Sequence, residues 1–329
     1  MATRIPTIDI MKGIAIIAVI VGHIVPGESL GKELIFSFHM PLFFIVAGYL
    51  YKPNTSYRKK SIADFRRLIV PYLVIAFIFT IYILIGNSFL SGLKYSLTAT
   101  LWGAAKHHHS LIWSTAPRIG AAWFLPALFW CRQIFNFCFT QVKYPYLAIV
   151  LLSLISTVTD YYLINLPFAL LPGMSAMIFY LIGYWIHIIT IEKKLHILLF
   201  ATGLICWILH MRFSTLDMAI CSYGFYPMDV IGALFATVGV YYISRWLSKI
   251  SLGKILGNIG QFTLYIFCIH AVEMEVNPYE LLSINMGWYT EAIIRVTWCV
   301  AAAYLYVSIK KIILTKPYCL IQSNTSKNI

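Results

Sequence analysis

Apolar residues run through this chain in long blocks, separated by short gaps that carry Lys, Arg, Gly or Pro. A helix needs about 20 mostly apolar residues to cross roughly 30 Å of hydrocarbon. Ten blocks approach that length, predicting helices over 8–26, 33–51, 67–87, 121–140, 144–163, 167–190, 195–210, 224–246, 255–273 and 287–314. The pattern predicts an all-α, polytopic membrane protein of about ten transmembrane helices. One transmembrane domain covers 1–329, with a short tail over 315–329 and no linker marking a second domain. The longest gap, 88–120, holds SLTATLWGAA, too short to span and suited to the interface, where it would roof a cavity.

Composition agrees. Hydrophobic residues make up 60% of the 329, charged residues 11%, and mean hydropathy is +0.79. A soluble domain carries about 25% charged residues, and disordered, secreted disulfide-rich and collagen-like chains need the opposite composition. The net charge of +13 does not point to nucleic acid, because the basic residues lie in the gaps between apolar blocks. Cys131, Cys138, Cys206, Cys268 and Cys299 sit inside apolar blocks without a CxxC pair and read as core fillers. The N-terminal block carries Lys12 and ends at Gly22-His23 rather than at a small-residue cleavage site, so it reads as the first span.

Charge sets orientation, because Lys and Arg are retained in the cytoplasm. With the N-terminus inside, eighteen basic residues face the cytoplasm and five the outside, leaving Lys12 and Arg295 within spans. The asymmetry predicts an even number of crossings with both termini cytoplasmic.

Titratable groups inside spans are costly and by default mark function. Among them stand Lys12, His23, His39, His187, His270 and Arg295. Lys12 and His23 are 11 residues apart, which places them within about 20° of one helix face and about 16 Å apart along it. That length is comparable with the pantetheine arm of coenzyme A, so the spacing suits an acyl-CoA donor. A Lys12 that snorkels to the interface and a His23 that only bridges helices fit the spacing equally well.

Motifs decide further. IDIMKGIAIIAVIVGHI resembles the opening of the acyltransferase-3 family of integral membrane acyltransferases, with a basic residue, ten residues and a histidine. FSFHMPLFFIVAGYLYK resembles the second span of the branch that O-acetylates sugars, with His39, Pro41 and Gly48 in matching places. FRRLIVPY at 65–72, AAWFLPALF at 121–129 and GQFTLYIFCIH at 260–270 resemble later family segments in the same order. One position departs: the family often shows two basic residues three apart, and three before Arg67 stands Asp64, with Arg66 the nearest substitute.

The resemblance implies transfer of acetyl from cytoplasmic acetyl-CoA to a hydroxyl of a cell-surface polysaccharide or its lipid-linked sugar precursor, in the bacterial cytoplasmic membrane. It implies His23 as catalytic base or acyl acceptor; His39 and His270 would orient it or the acceptor, or simply bridge helices as buried imidazoles. All three fall in the outer half of the predicted spans, where acyl group and acceptor would meet. Arg66 and Arg67 would bind donor phosphate, Lys12 would hold the donor at its mouth, and Trp123, in a matched motif, would touch the acceptor. Asp9 lies one turn before Lys12 and would pair with it, or simply cap the first span.

His107, His108 and His109 do not read as a metal site, since three consecutive side chains cannot face one ion, and no metal is expected. Acids on the outer side, Asp160, Asp217, Asp229, Glu273, Glu275 and Glu280, with Trp113, Trp123 and Trp288, suit a sugar but also an ordinary membrane interface. Acyl-CoA, the acceptor and membrane lipid are the predicted partners, nucleic acid is not, and a homo-oligomer is left open. The rival reading is a transporter or flippase for a glycan or lipid. It would share the helices and basic loops, yet it leaves the face from Lys12 to His23 without a role.

Overall fold

A computed structural model describes residues 4–27, 29–53, 56–106, 117–161, 166–188, 193–213, 216–276 and 286–325. Each of the ten apolar blocks holds helix among its described residues. The strands among the described residues are Leu216–Asp217 and Ser222–Tyr223, paired antiparallel with Leu216 opposite Tyr223. The protein is an all-α membrane protein.

Helix ends follow local chemistry. Pro6 opens the first helix, Pro6–Gly22, where its missing N–H costs nothing. The Ser29 side chain caps Leu30–Phe36 by accepting the Lys32 N–H at 3.3 Å. Gly103, at φ +62°, ends the Phe89–Trp102 helix in the left-handed conformation that favours glycine.

By length and composition, five of the described helices suffice to cross a membrane: Leu30–Tyr49, Tyr57–Gly86, Leu170–Ile188, Tyr226–Leu247 and Trp288–Ile313. A sixth is added if Ser251–Gln261 and Thr263–Val276, bent by 69°, form one span. The other four blocks hold the helices Pro6–Gly22, Phe124–Gln141, Pro145–Tyr161 and Lys193–Phe213. These are short or interrupted by polar residues such as Arg132, Gln133 and Asn136. The last helix continues to Thr325, into the segment expected to be a tail. SLTATLWGAA, residues 96–105, falls largely within Phe89–Trp102, and its last residue, Ala105, lines a cavity together with Lys106.

Glycine brings helices together. A methyl at Gly48 or Gly183 would strike the backbone of the facing helix, so His39–Tyr49 and Met177–Ile188 approach closely there. Gly13 and Gly260 do the same between Pro6–Gly22 and Ser251–Gln261. Phe44, Tyr72, Leu125, Phe135, Phe179 and Tyr180 fill the fully buried centre. This packing fixes the end of the first helix, where His23 stands.

Candidate active site

His23 is the residue that closes the first helix, and its side chain is exposed to a cavity of about 450 Å³. Trp123, Lys32, Arg118 and Asp217 share that lining. The His270 ring lies 5.4 Å from the His23 ring, tilted by 39°. His270 is fully buried, and its Nδ1 is 3.3 Å from Glu273 Oε2, one helical turn on. A carboxylate at that distance accepts from Nδ1–H, which leaves His270 Nε2 as an acceptor; no hydrogen-bond partner meets that atom.

The charges continue inward. Glu273 Oε1 is 3.2 Å from Arg295 Nε, and Arg295 also meets Glu291 at 2.7 Å. Such a run in hydrocarbon needs mutual pairing, because an uncompensated charge there is expensive. Cys299 joins His270 and Glu273 in a group whose ligand atoms lie within 4.8 Å, a spacing that also suits a metal. The guanidinium of Arg295 already supplies the cation.

His39 opens the His39–Tyr49 helix, and its Nδ1–H donates to the Ile35 carbonyl at 2.7 Å. The Phe36 ring meets it edge-on at 4.9 Å. His39 is buried and lies within electrostatic reach of His23, as do Lys32 and Arg295. His23 and His270, far apart in the chain, therefore meet, and His39 stands on a helix packed against the first.

At the cavity rim Lys106 pairs with Asp217 at 2.7 Å, and Arg118 lies 3.8 Å from Glu275. His210, 1% exposed, also lines the cavity and is 3.3 Å from the fully buried Asp229.

The predicted donor residues form two other recesses. Asp9 pairs with Lys12 at 2.6 Å, while Ile5 holds the N-cap position, so Asp9 is an ion-pair partner rather than the cap. Asp9 also lines a recess with Arg4, Lys254 and Asn258. Arg66 and Arg67 lie in a π-helical turn, Phe65–Ile69, and with Lys59 line an open cleft of about 520 Å³. The linings of the two recesses share no residue. Single π-turns commonly mark functional sites. Asp64, the departure noted above, is buried and bound by Arg132 at 2.9 Å from the neighbouring helix Phe124–Gln141.

The structure thus brings His23, His39 and His270 together, sets Trp123 in the same cavity wall, and joins Asp9 to Lys12 and Arg66 to Arg67. His187 packs against Tyr49 at 4.9 Å, away from the cavity lining. His107 to His109, Trp113 and Glu280 lie outside the described residues, as does the side chain of Asp160. Sequence reading missed His210, the Glu273–Arg295 link and Arg132. The i,i+3 spacing of His270 and Glu273 was a usable signal; pairs between helices leave none.

The family model for the acyltransferase-3 acyltransferase domain matches residues 5–309, which includes His23, His39, His270, Trp123, Asp9, Lys12, Arg66 and Arg67. No curated protein and no solved structure matches the chain. The ordered motifs, the converging histidines and a match over nearly the whole length agree: the chain belongs to the acyltransferase-3 family.

Proposed function

We propose that this membrane acyltransferase moves acetyl from cytoplasmic acetyl-CoA to a hydroxyl of a cell-surface polysaccharide or its lipid-linked sugar precursor. It works in the bacterial cytoplasmic membrane with both termini inside. The observation that carries the reading is the His23–His270 pair at 5.4 Å, with His23 open to a cavity, in a chain of this family.

In this reading the His23 imidazole takes the proton of the acceptor hydroxyl as its oxygen attacks the thioester carbonyl. The tetrahedral oxyanion gains from Lys32 and Arg118 in the cavity wall. It collapses with cleavage of the C–S bond, and the departing thiolate takes the proton back from His23. Glu273 holds the His270 tautomer, Arg295 holds Glu273, and His270 and His39 orient His23. Arg66 and Arg67 receive donor phosphates, since a guanidinium fork matches phosphate oxygens. Lys12, steadied by Asp9, holds the donor at its mouth, and Trp123 offers an aromatic face to the acceptor.

The test compares detergent-purified wild type with His23→Ala for thermal stabilisation by acetyl-CoA and for release of free thiol. Stabilisation of both, with thiol release in the wild type alone, is the expected result. No response of either protein to any acyl-CoA overturns the reading.

A further inference from the structure

Between the Tyr57–Asp64 helix with its π-turn and the Phe124–Gln141 helix lies a polar crevice whose Lys60, Arg132 and Asn136 the mechanism above does not use. Its acceptors are engaged. Asp64 Oδ1 takes Arg132 at 2.9 Å, and Oδ2 takes Gln133 Nε2 at 3.2 Å. Asn136 Oδ1 takes the Tyr51 hydroxyl at 2.7 Å and the Lys60 ammonium at 3.2 Å. Those two donors fix which end of the Asn136 amide is oxygen.

Its donors are in surplus. Arg132 Nε and Asn136 Nδ2 are buried and have no hydrogen-bond partner. They stand four residues apart on one helix, hence on one face. A buried donor without an acceptor costs about 1–3 kcal/mol, so two neighbours in that state mark a place for an acceptor. Charge points the same way. Asp64 is the carboxylate of this group, against Lys60, Arg132 and the nearby Arg67. A guest with several acceptor oxygens and negative charge satisfies both shortages, and a phosphoryl group has both properties.

We propose that Arg132, Asn136 and Lys60, together with Arg67, bind a phosphoryl group of the acyl-CoA donor in this crevice, with Asp64 as the residue that positions Arg132. The proposal rests on the acyltransferase reading and deepens it, by placing donor phosphate on two helices rather than on one turn. A phospholipid headgroup offers the same chemistry, so the test separates the two sources.

Full-length protein in detergent is assayed by thiol release with acetyl-CoA and with acetyl-pantetheine, which lacks the phosphates. Arg132→Gln is expected to raise KM for acetyl-CoA about tenfold, with kcat and both constants for acetyl-pantetheine unchanged. Asn136→Ala is expected to raise the same KM about threefold. Because Arg132→Gln strands Asp64, the double variant Arg132→Gln/Asp64→Asn removes both charges at once. It is expected to melt near the wild type and still show the raised KM.

Equal losses on both donors would make Arg132 structural and overturn the proposal, as would an unchanged KM. So would a KM rise that added phosphatidylglycerol produces in the wild type but not in the variant, which assigns the crevice to lipid. A wild type that does not turn over acetyl-CoA overturns the acyltransferase reading itself, a result distinct from these.

Discussion

The histidine cavity and the basic crevice handle charge in opposite ways. In and behind the cavity, most basic groups are answered by acids, Lys32 apart: Lys106 by Asp217, Arg118 by Glu275, His210 by Asp229, and Arg295 by Glu273 and Glu291. Around the crevice Asp64 stands against Lys60, Arg67 and Arg132, with Lys59 and Arg66 in the cleft beside Arg67. Matched charge lets ionisable groups survive burial and leaves a cavity suited to moving a proton between neutral partners. Surplus cation suits a polyanion. The two regions divide the proposed reaction into chemistry and donor binding.

The largest expected effect is from His23→Ala. Loss of a general base lowers kcat for thiol release by about 10²–10⁴-fold, while KM for acetyl-CoA stays within about twofold. A large change in KM would break the comparison, since the cavity would then be binding the donor.

Arg295→Leu comes next, acting on stability. Removing one partner of a buried pair costs about 3–5 kcal/mol, and here it strands Glu273 beside His270. A lowered melting temperature is expected, partly restored by adding Glu273→Gln. Glu273→Gln alone should lower kcat by roughly tenfold to a hundredfold, less than loss of the base itself, because the amide no longer selects the His270 tautomer. Unchanged kcat would reduce the carboxylate to a packing group.

The same contrast explains what could be read before the fold was known. Block length and hydrophobicity predicted the helices, since hydrocarbon punishes anything else. Spacing along one helix offered the Asp9–Lys12 pair, beside a cap, as the role of Asp9, and it was there to be read between His270 and Glu273. Helix breaks were not legible. One apolar block, 33–51, divides into Leu30–Phe36 and His39–Tyr49, and another, 255–273, bends by 69° near Phe262. Those bends depend on neighbours, as Gly13 and Gly260 show. Partners between helices were hidden for the same reason: Arg132 counted only as a topology charge, while Lys60 and Arg67 already stood at helical spacing from Asp64. His210 and Asp229 come from separate helices, and only packing reveals that they meet.

Salt separates the two regions more gently. The Debye length is about 10 Å at 0.1 M and about 3 Å at 1 M salt, so surplus exposed cations such as Arg66 and Arg67 lose reach while buried pairs do not. KM for acetyl-CoA should rise several-fold from low salt to about 0.5 M, with kcat for acetyl-pantetheine nearly flat. Parallel changes in both would mean that the cavity, too, depends on unscreened surface charge.

Gly120→Ala is the smallest change. Gly120 has φ +59°, and an added methyl there would meet the Glu275 carboxylate. An alanine held in the left-handed region costs about 1–2 kcal/mol, and Glu275 must also shift from its place 3.8 Å from Arg118. A melting temperature lower by a few degrees is expected. The stabilisation added by acetyl-CoA should match that of the wild type, because the crevice is untouched. If the variant melts lower and also loses that stabilisation, the cavity rim and the donor crevice are mechanically coupled, and the division between them is one of charge alone.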